Sequence, residues 1–86
     1  QVYSIGDAEA EVIEAQVLST SPMSGTDIKE IGLPEGTIIG AIKRGDEYIK
    51  PNGRTKISNG DVVVIFAISK DIPELEKLLQ VSIDLF

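Results

Sequence analysis

The sequence predicts an α+β fold in which a short β-sheet carries a short helix early in the chain and a C-terminal helix packed on the sheet. Its 86 residues, 42% of them hydrophobic, suit one small domain and leave no room for two. Short β-rich segments separated by turn residues fill the second half of the chain, and leucines at helical spacing follow them. The apolar runs are too short to cross a bilayer as a helix.

The first third of the chain contains one ambiguous segment and one predicted helix. Residues 8–18 suit a helix by their alanines and glutamates, or a strand buried on both faces by their β-branched residues. Ser24 can cap a short helix whose apolar side is formed by Ile28 and Ile31. Gly32 can adopt the left-handed conformation that ends such a helix. For residues 8–18 the pattern leaves helix and strand open.

Residues 37–43 predict a strand with an unusual pattern. Its apolar residues do not alternate, which indicates two covered faces, one against the core and the other against a partner chain. Gly40 lies inside this strand, where a glycine indicates either a β-bulge or the close approach of another group. The bulge is the simpler explanation.

Two further strands and a helix complete the predicted fold. Turn residues separate residues 37–43 from a short strand at 47–51, and residues 62–68 form the most apolar run and therefore the central strand. Asp71 and Glu74 make a capping-box-like start for the closing helix. Its leucines fall on one helical face, which we expect to pack on the sheet.

The beginning of the chain indicates a fragment of a longer protein or a processed form. It begins with Gln1 rather than methionine, and no secretion signal precedes the first apolar residues. We expect residues 1–7 to lead in from an upstream domain that this chain lacks, and residues 8–86 to form the domain itself.

The residue types argue against catalysis. The chain has no histidine and no cysteine, which removes the commonest general base, the commonest metal ligand and all thiolate chemistry. We therefore predict no enzyme activity, no catalytic residue and no metal ligand. Asp7, Glu9 and Glu11 alternate and could offer oxygens to a divalent cation, but a solvated strand face explains the same spacing, and no glycine-centred calcium loop accompanies them.

Positive charge is concentrated in one part of an acidic chain. The net charge is −6, yet five of the eight basic residues lie between positions 43 and 56, beside only two acidic ones. Solvated turn positions account for such a cluster, and the functional alternative is a small phosphate-bearing ligand. Nucleic acid is not expected as a partner, because the net charge repels its backbone. The basic residues are Lys43, Arg44, Lys50, Arg54 and Lys56.

Several strings of the sequence, taken in order, resemble the C-terminal subdomain of RCK domains, the regulators of potassium conductance, also called the TrkA-C family. Residues 74–86, ELEKLLQVSIDLF, look like the end of a regulatory subunit of Trk-type potassium uptake. The other strings are residues 11–20 as the opening strand, SGTDIKEIGLP at 24–34, GTIIGAIKRG at 36–45, YIKP at 48–51 and NGDVVVIF at 59–66.

This resemblance implies a fold and a role. Residues 8–18 become the first strand of a small sheet, with the short helix after it, and copies of the chain pair as a homodimer or assemble as a higher homo-oligomer. The family acts as a cytoplasmic regulatory subunit, peripheral to the inner membrane through a potassium transporter. NAD or ATP is expected only on a Rossmann-like half that these 86 residues lack, because no glycine-rich dinucleotide fingerprint is present.

The resemblance also implies a candidate ligand site and two alternative roles. In some relatives this subdomain binds cyclic di-AMP across its dimer interface. The domain is then either an assembly module that couples pairing to potassium transport, or a sensor of a small anionic nucleotide at the dimer interface. The matching positions here are Ile38, Ile39, Lys43, Arg44, Ile49 and Pro51.

Overall fold

The computed structural model describes residues 2–5 and 10–79. Within these residues the chain forms five strands and one α-helix, with two single turns of 3-10 helix. The fold class is therefore α+β, as the sequence predicts. The strands are β1 (Val2–Ile5), β2 (Ala10–Gln16), β3 (Ile38–Arg44), β4 (Glu47–Ile49) and β5 (Val62–Ile68); the helix is α1 (Ile72–Leu79), and the 3-10 turns are Ile28–Glu30 and Ser69–Asp71.

The five strands form one antiparallel sheet in the order β1-β2-β5-β3-β4. The most apolar strand, β5, lies at the centre, which confirms the prediction for residues 62–68. Ile65 of β5 is opposite Ile13 of β2 on one side and Ile39 of β3 on the other. Within the segment 8–18, for which the sequence pattern leaves helix and strand open, Ala10–Gln16 forms the strand β2. Part of the predicted lead-in segment, Val2–Ile5, forms β1 and pairs with β2.

One face of the sheet carries the core. Side chains of β2, β3 and β5 on this face are buried together with Ile72 and Leu75 of α1, so the closing helix packs on the sheet as predicted. Burial of these aliphatic side chains is the main source of stability for a domain of this size. The core consists of Ile13, Ala15, Val17, Met23, Ile39, Ile42, Ile57, Val63, Ile65, Ala67, Ile72 and Leu75.

The short helix predicted from Ser24 is reduced to one 3-10 turn, Ile28–Glu30. The backbone N–H of Ile28 donates to the Thr55 carbonyl at 2.9 Å, and that of Lys29 donates to the Gly53 carbonyl at 2.9 Å. Because a distant loop accepts these hydrogen bonds, an α-helix cannot form from the same groups. Gly32, predicted to end the helix, does not adopt a positive φ.

The non-alternating pattern of β3 has a local cause. The register against β5 shifts between Ile39 and Ala41, which places a bulge at Gly40. Ile39 and Ile42 therefore both point into the core although three positions separate them. The pattern was expected to mean that both faces of the strand are covered. Among residues 2–5 and 10–79 the core covers one face, and Ile38 on the other face is 63% exposed.

Candidate functional site

The side of the sheet opposite the core, called the outer face below, is an open apolar surface. Its apolar residues are Val12, Ile38, Val64, Phe66 and Ile68, and the exposed Glu14 of β2 lies among them, opposite Val64. Val12 and Ile38 are both opposite Phe66, one on each neighbouring strand, so the three side chains form a row across the sheet. Ile38 is 63% and Phe66 42% exposed, so the described part of the chain leaves this row accessible to solvent.

Two glycines shape the outer face. A Cβ atom placed on Gly40 would lie 2.4 Å from Cε2 of Phe66, so the ring occupies the space above that glycine. Gly36 has a φ of 83°, and a Cβ there would lie 2.5 Å from Cδ1 of Ile68. The side chains of Phe66 and Ile68 therefore pack against the neighbouring backbone at Gly40 and Gly36, whereas the side chain of Ile38 projects from the face.

Replacing Gly40 by alanine is expected to destabilise the domain by about 1–3 kcal/mol, because the methyl group cannot share the space of the Phe66 ring. Urea denaturation measures the change in the free energy of unfolding. Gly32→Ala is the matched control, since nothing lies within 4 Å of a Cβ at Gly32 and its φ is not positive. Equal effects of the two substitutions would contradict the packing described for Phe66.

A cation and an aromatic ring lie side by side at the β4 edge of the sheet. Lys43 and Tyr48 are opposite each other on β3 and β4, and Nζ of Lys43 is 5.8 Å from the centroid of the Tyr48 ring. Lys43 is also opposite Val62, which shares the outer side of β5 with Val64. Tyr48 as a residue is 72% exposed. This edge offers a positive charge and a planar apolar surface together.

Arg44 forms a bidentate ion pair with a buried carboxylate. Its Nε and Nη2 donate to Oδ1 and Oδ2 of Asp61, each at 2.9 Å, and Nη2 also donates to the Lys56 carbonyl at 3.0 Å. Asp61 is 1% exposed and accepts a further hydrogen bond from the Ser58 backbone N–H. The hydrogen bond from Arg44 holds the pKa of Asp61 below its usual range, and the same bond raises the pKa of Arg44.

The lowered pKa of Asp61 makes part of the stability depend on pH. The carboxylate stabilises the fold while it is ionised, fully above the unfolded pKa of about 3.9, and this contribution is lost as the pH falls through the lower folded pKa. We expect Asp61→Asn to lower the melting temperature at neutral pH, and the difference from the unaltered protein to shrink in acid. Thermal melts followed by circular dichroism across this range test it; a difference independent of pH would contradict it.

The six predicted site residues do not form one surface. Ile38 and Lys43 lie on the outer face, whereas Ile39 is buried and Ile49 packs against the core. Arg44 is bonded to Asp61, and Pro51 is half-buried after β4. Their assignment as ligand contacts stays a prediction. Asp61 and Tyr48 are not among the predicted site residues. The sequence places Tyr48 between Lys43 and Lys50, and this position beside two cations is the signal for it.

Other candidate sites are less suited to an anion or a metal. A shallow hollow of about 600 Å³ has an acidic lining that would repel phosphate. Among the described residues, no group of three or more histidine, cysteine, aspartate or glutamate side chains could hold a metal ion. Asp7 and Glu9, two of the three alternating carboxylates, lie outside the described residues. The hollow is lined by Glu35, Gly36, Ile68, Lys70, Asp71 and Glu74.

Comparison with known families identifies the domain. The sequence model of the TrkA-C domain family matches residues 12–80, which is most of the chain. The chain belongs to the TrkA-C domain family. No helix among the described residues of this TrkA-C domain is long and apolar enough to cross a membrane.

Sequence relatives of this TrkA-C domain are potassium uptake proteins. The Trk system potassium uptake protein TrkA of Azorhizobium caulinodans is 40% identical over 85 residues, which is 99% of this chain and 19% of that protein. TrkA of Vibrio alginolyticus is 42% identical over 85 residues, 94% of this chain and 19% of that protein. The chain therefore spans about a fifth of the length of these relatives.

Solved RCK structures share the fold of this TrkA-C domain. The RCK C domain of the potassium transport protein KtrA, determined in complex with cyclic diadenosine monophosphate, superposes with a TM-score of 0.68 at 29% identity and covers 80% of this chain and 82% of its own. A structure described as an RCK domain with cda also has a TM-score of 0.68, at 24% identity over 79% of this chain and 96% of its own, and supports the fold.

Proposed function

We propose that this TrkA-C domain is the pairing module of a regulatory subunit of Trk-type potassium uptake, and that it couples assembly to transport without catalysing a reaction. The observation that carries the proposal is the exposed apolar row Val12–Phe66–Ile38 on the outer face. A monomeric domain gains nothing from exposing a large isoleucine and a phenylalanine side by side.

A second copy of the chain is the occupant that fits this face best. A two-fold pair brings the same patch of both copies together, so an apolar centre with polar edges is complementary to itself. The domain measures 33 × 24 × 21 Å, which leaves room on its broad side for the roughly 800 Å² per partner that a standard interface buries. Gln16 and Lys43, both opposite Val62, supply polar groups at one end of this face.

The relatives support a cellular setting for the pair. The relatives are potassium uptake proteins, and this chain matches about a fifth of their length. We therefore place the domain in a cytoplasmic subunit at the inner membrane, attached through the transporter. Nucleotide cofactors such as NAD or ATP are then expected on the Rossmann-like half of that subunit, because these 86 residues carry no dinucleotide fingerprint.

Sedimentation equilibrium tests the pairing. We expect the purified domain to form dimers at micromolar concentration and to dissociate on dilution. A domain that stays monomeric up to high micromolar concentration would refute the assignment of the outer face as an interface between copies.

A second candidate function is the sensing of a small anionic nucleotide at the edge of this interface. The observation that favours it is the exposed pair Lys43 and Tyr48 beside the outer face, together with the fold shared with an RCK C domain solved in complex with cyclic diadenosine monophosphate. Calorimetric titration of the domain with cyclic di-AMP, ATP and NADH tests it. Absence of heat with all three nucleotides would remove this candidate and leave the pairing function unaffected.

A further inference from the structure

The two asparagines of the chain each precede a glycine, at Asn52–Gly53 and Asn59–Gly60. In such a pair the backbone nitrogen of the glycine can attack the side-chain amide carbon of the asparagine, because the glycine has no side chain to hinder the approach. Ammonia leaves, and a cyclic succinimide forms that water opens to aspartate or isoaspartate. The two pairs share this chemistry, so a difference in their reactivity comes from the fold.

Hydrogen bonds prepare the side chain of Asn52 for this reaction. The backbone N–H of Arg54 donates to Oδ1 of Asn52 at 2.8 Å, which polarises the amide and stabilises the negative charge that Oδ1 gains during the attack. The backbone N–H of Asn52 donates to Oγ1 of Thr55 at 3.0 Å, and the N–H of Thr55 donates to the Asn52 carbonyl at 3.0 Å. The turn therefore holds the amide in one orientation.

The backbone nitrogen of Gly53 is available for the attack. Among residues 2–5 and 10–79 no acceptor binds its N–H, and both Asn52 and Gly53 are exposed, so a base from the solvent can remove the proton. Residues 48–60 contain three basic side chains and no acidic one. Positive charge close by favours the deprotonated nitrogen, which is the nucleophile.

The fold protects the second pair, Asn59–Gly60. The backbone N–H of Gly60 donates to the Val17 carbonyl at 2.8 Å, so the nitrogen that would attack is already bonded. Asp61, the next residue, donates its N–H to the Ser58 carbonyl at 3.0 Å and accepts at its carbonyl from the Val17 N–H at 2.7 Å. Attack by Gly60 therefore requires this turn to open first.

We propose that Asn52 is a deamidation site of the folded domain and that the fold shields Asn59 from the same reaction. The products are free ammonia and aspartate or isoaspartate at position 52, with water as the co-reactant. Either product adds a negative charge to the basic loop between β4 and β5. Isoaspartate also lengthens the main chain by one carbon inside the turn that the Thr55 N–H closes. This modification site is independent of the pairing and sensing functions proposed above.

Peptide mapping by mass spectrometry measures both asparagines in one sample. Trypsin does not cut before proline, so Asn52 is recovered in peptide 45–54 and Asn59 in peptide 57–70. Incubation of the protein at mildly alkaline pH in heavy-oxygen water marks the deamidation that precedes digestion. We expect Asn52 of the folded domain to react about ten-fold faster than Asn59 or more, and the two rates to converge in guanidinium chloride, which removes the protecting hydrogen bonds.

Gly53→Ala tests the nucleophile. The added methyl group hinders the attack and should slow the reaction of Asn52 about ten-fold, with the rate at Asn59 unchanged. Its Cβ would lie 3.3 Å from Cβ of Lys29, a contact that a small shift relieves, and circular dichroism checks that the variant is folded. An unchanged rate at Asn52 in this variant overturns the role of the Gly53 nitrogen. Equal rates at the two sites of the folded domain, faster loss of Asn59, or reaction of Asn52 only in guanidinium chloride overturns the proposal.

Discussion

Replacing Ile38 by aspartate is expected to turn a pairing domain into a monomer without unfolding it. Ile38 is 63% exposed in the isolated domain, so the substitution removes little buried surface and should leave the free energy of unfolding nearly unchanged when it is measured at concentrations where no pairs form. In a two-fold pair each copy supplies one aspartate to the same apolar centre, where the charges are desolvated and repel each other. We expect the dissociation constant to rise about 100-fold or more, which sedimentation velocity over a dilution series measures.

A charge-matched control separates repulsion at the outer face from the general effect of a more acidic chain. Asn59 lies exposed in the turn before β5, and Asn59→Asp adds the same charge with almost the same shape. This variant should pair like the unaltered domain. If Ile38→Asp pairs equally well, the outer face is not the interface; if both variants dissociate, net charge rather than the apolar row controls pairing.

Local sequence pattern was sufficient for most of the sheet. Continuous apolar residues identified β5 as the central strand, and turn residues separated β3 from β4, because both signals lie within a few residues of the element that they specify. The helix predicted from Ser24 was wrong in extent for a non-local reason. Its N–H groups bond to carbonyls of Gly53 and Thr55, more than twenty residues away, and no local pattern encodes that choice.

The candidate site was less predictable, since it depends on which face each residue of β3 occupies. The bulge at Gly40 changes the alternation, so Ile39 and Ile42 both face the core, and Ile38 and Lys43 both lie on the outer face. Arg44 looked like a free cation because its partner, Asp61, is 17 residues away in a turn cluster. A glycine inside a strand was the sequence signal for the bulge. No local signal in the sequence indicated the ion pair between Arg44 and Asp61.

Two adjacent residues of β5 provide a test of which face stabilises the fold and which binds a partner. Ile65 is fully buried between Ile13 and Ile39, and its truncation to alanine is expected to cost about 2–5 kcal/mol, a large share of the roughly 5–15 kcal/mol that stabilises a small domain. Phe66 points to the outer face. Phe66→Ala is expected to cost much less stability and to weaken pairing about ten-fold or more.

Urea denaturation at concentrations where the domain is monomeric gives the stability of each variant, because pairing would otherwise add to it. Sedimentation of the folded variants gives the pairing. Ile65→Ala should be strongly destabilised and still pair when folded, since its side chain does not reach the outer face. If Phe66→Ala loses as much stability as Ile65→Ala and pairs normally, the Phe66 ring stabilises the fold of the single chain. The outer face is then not an interface between two copies.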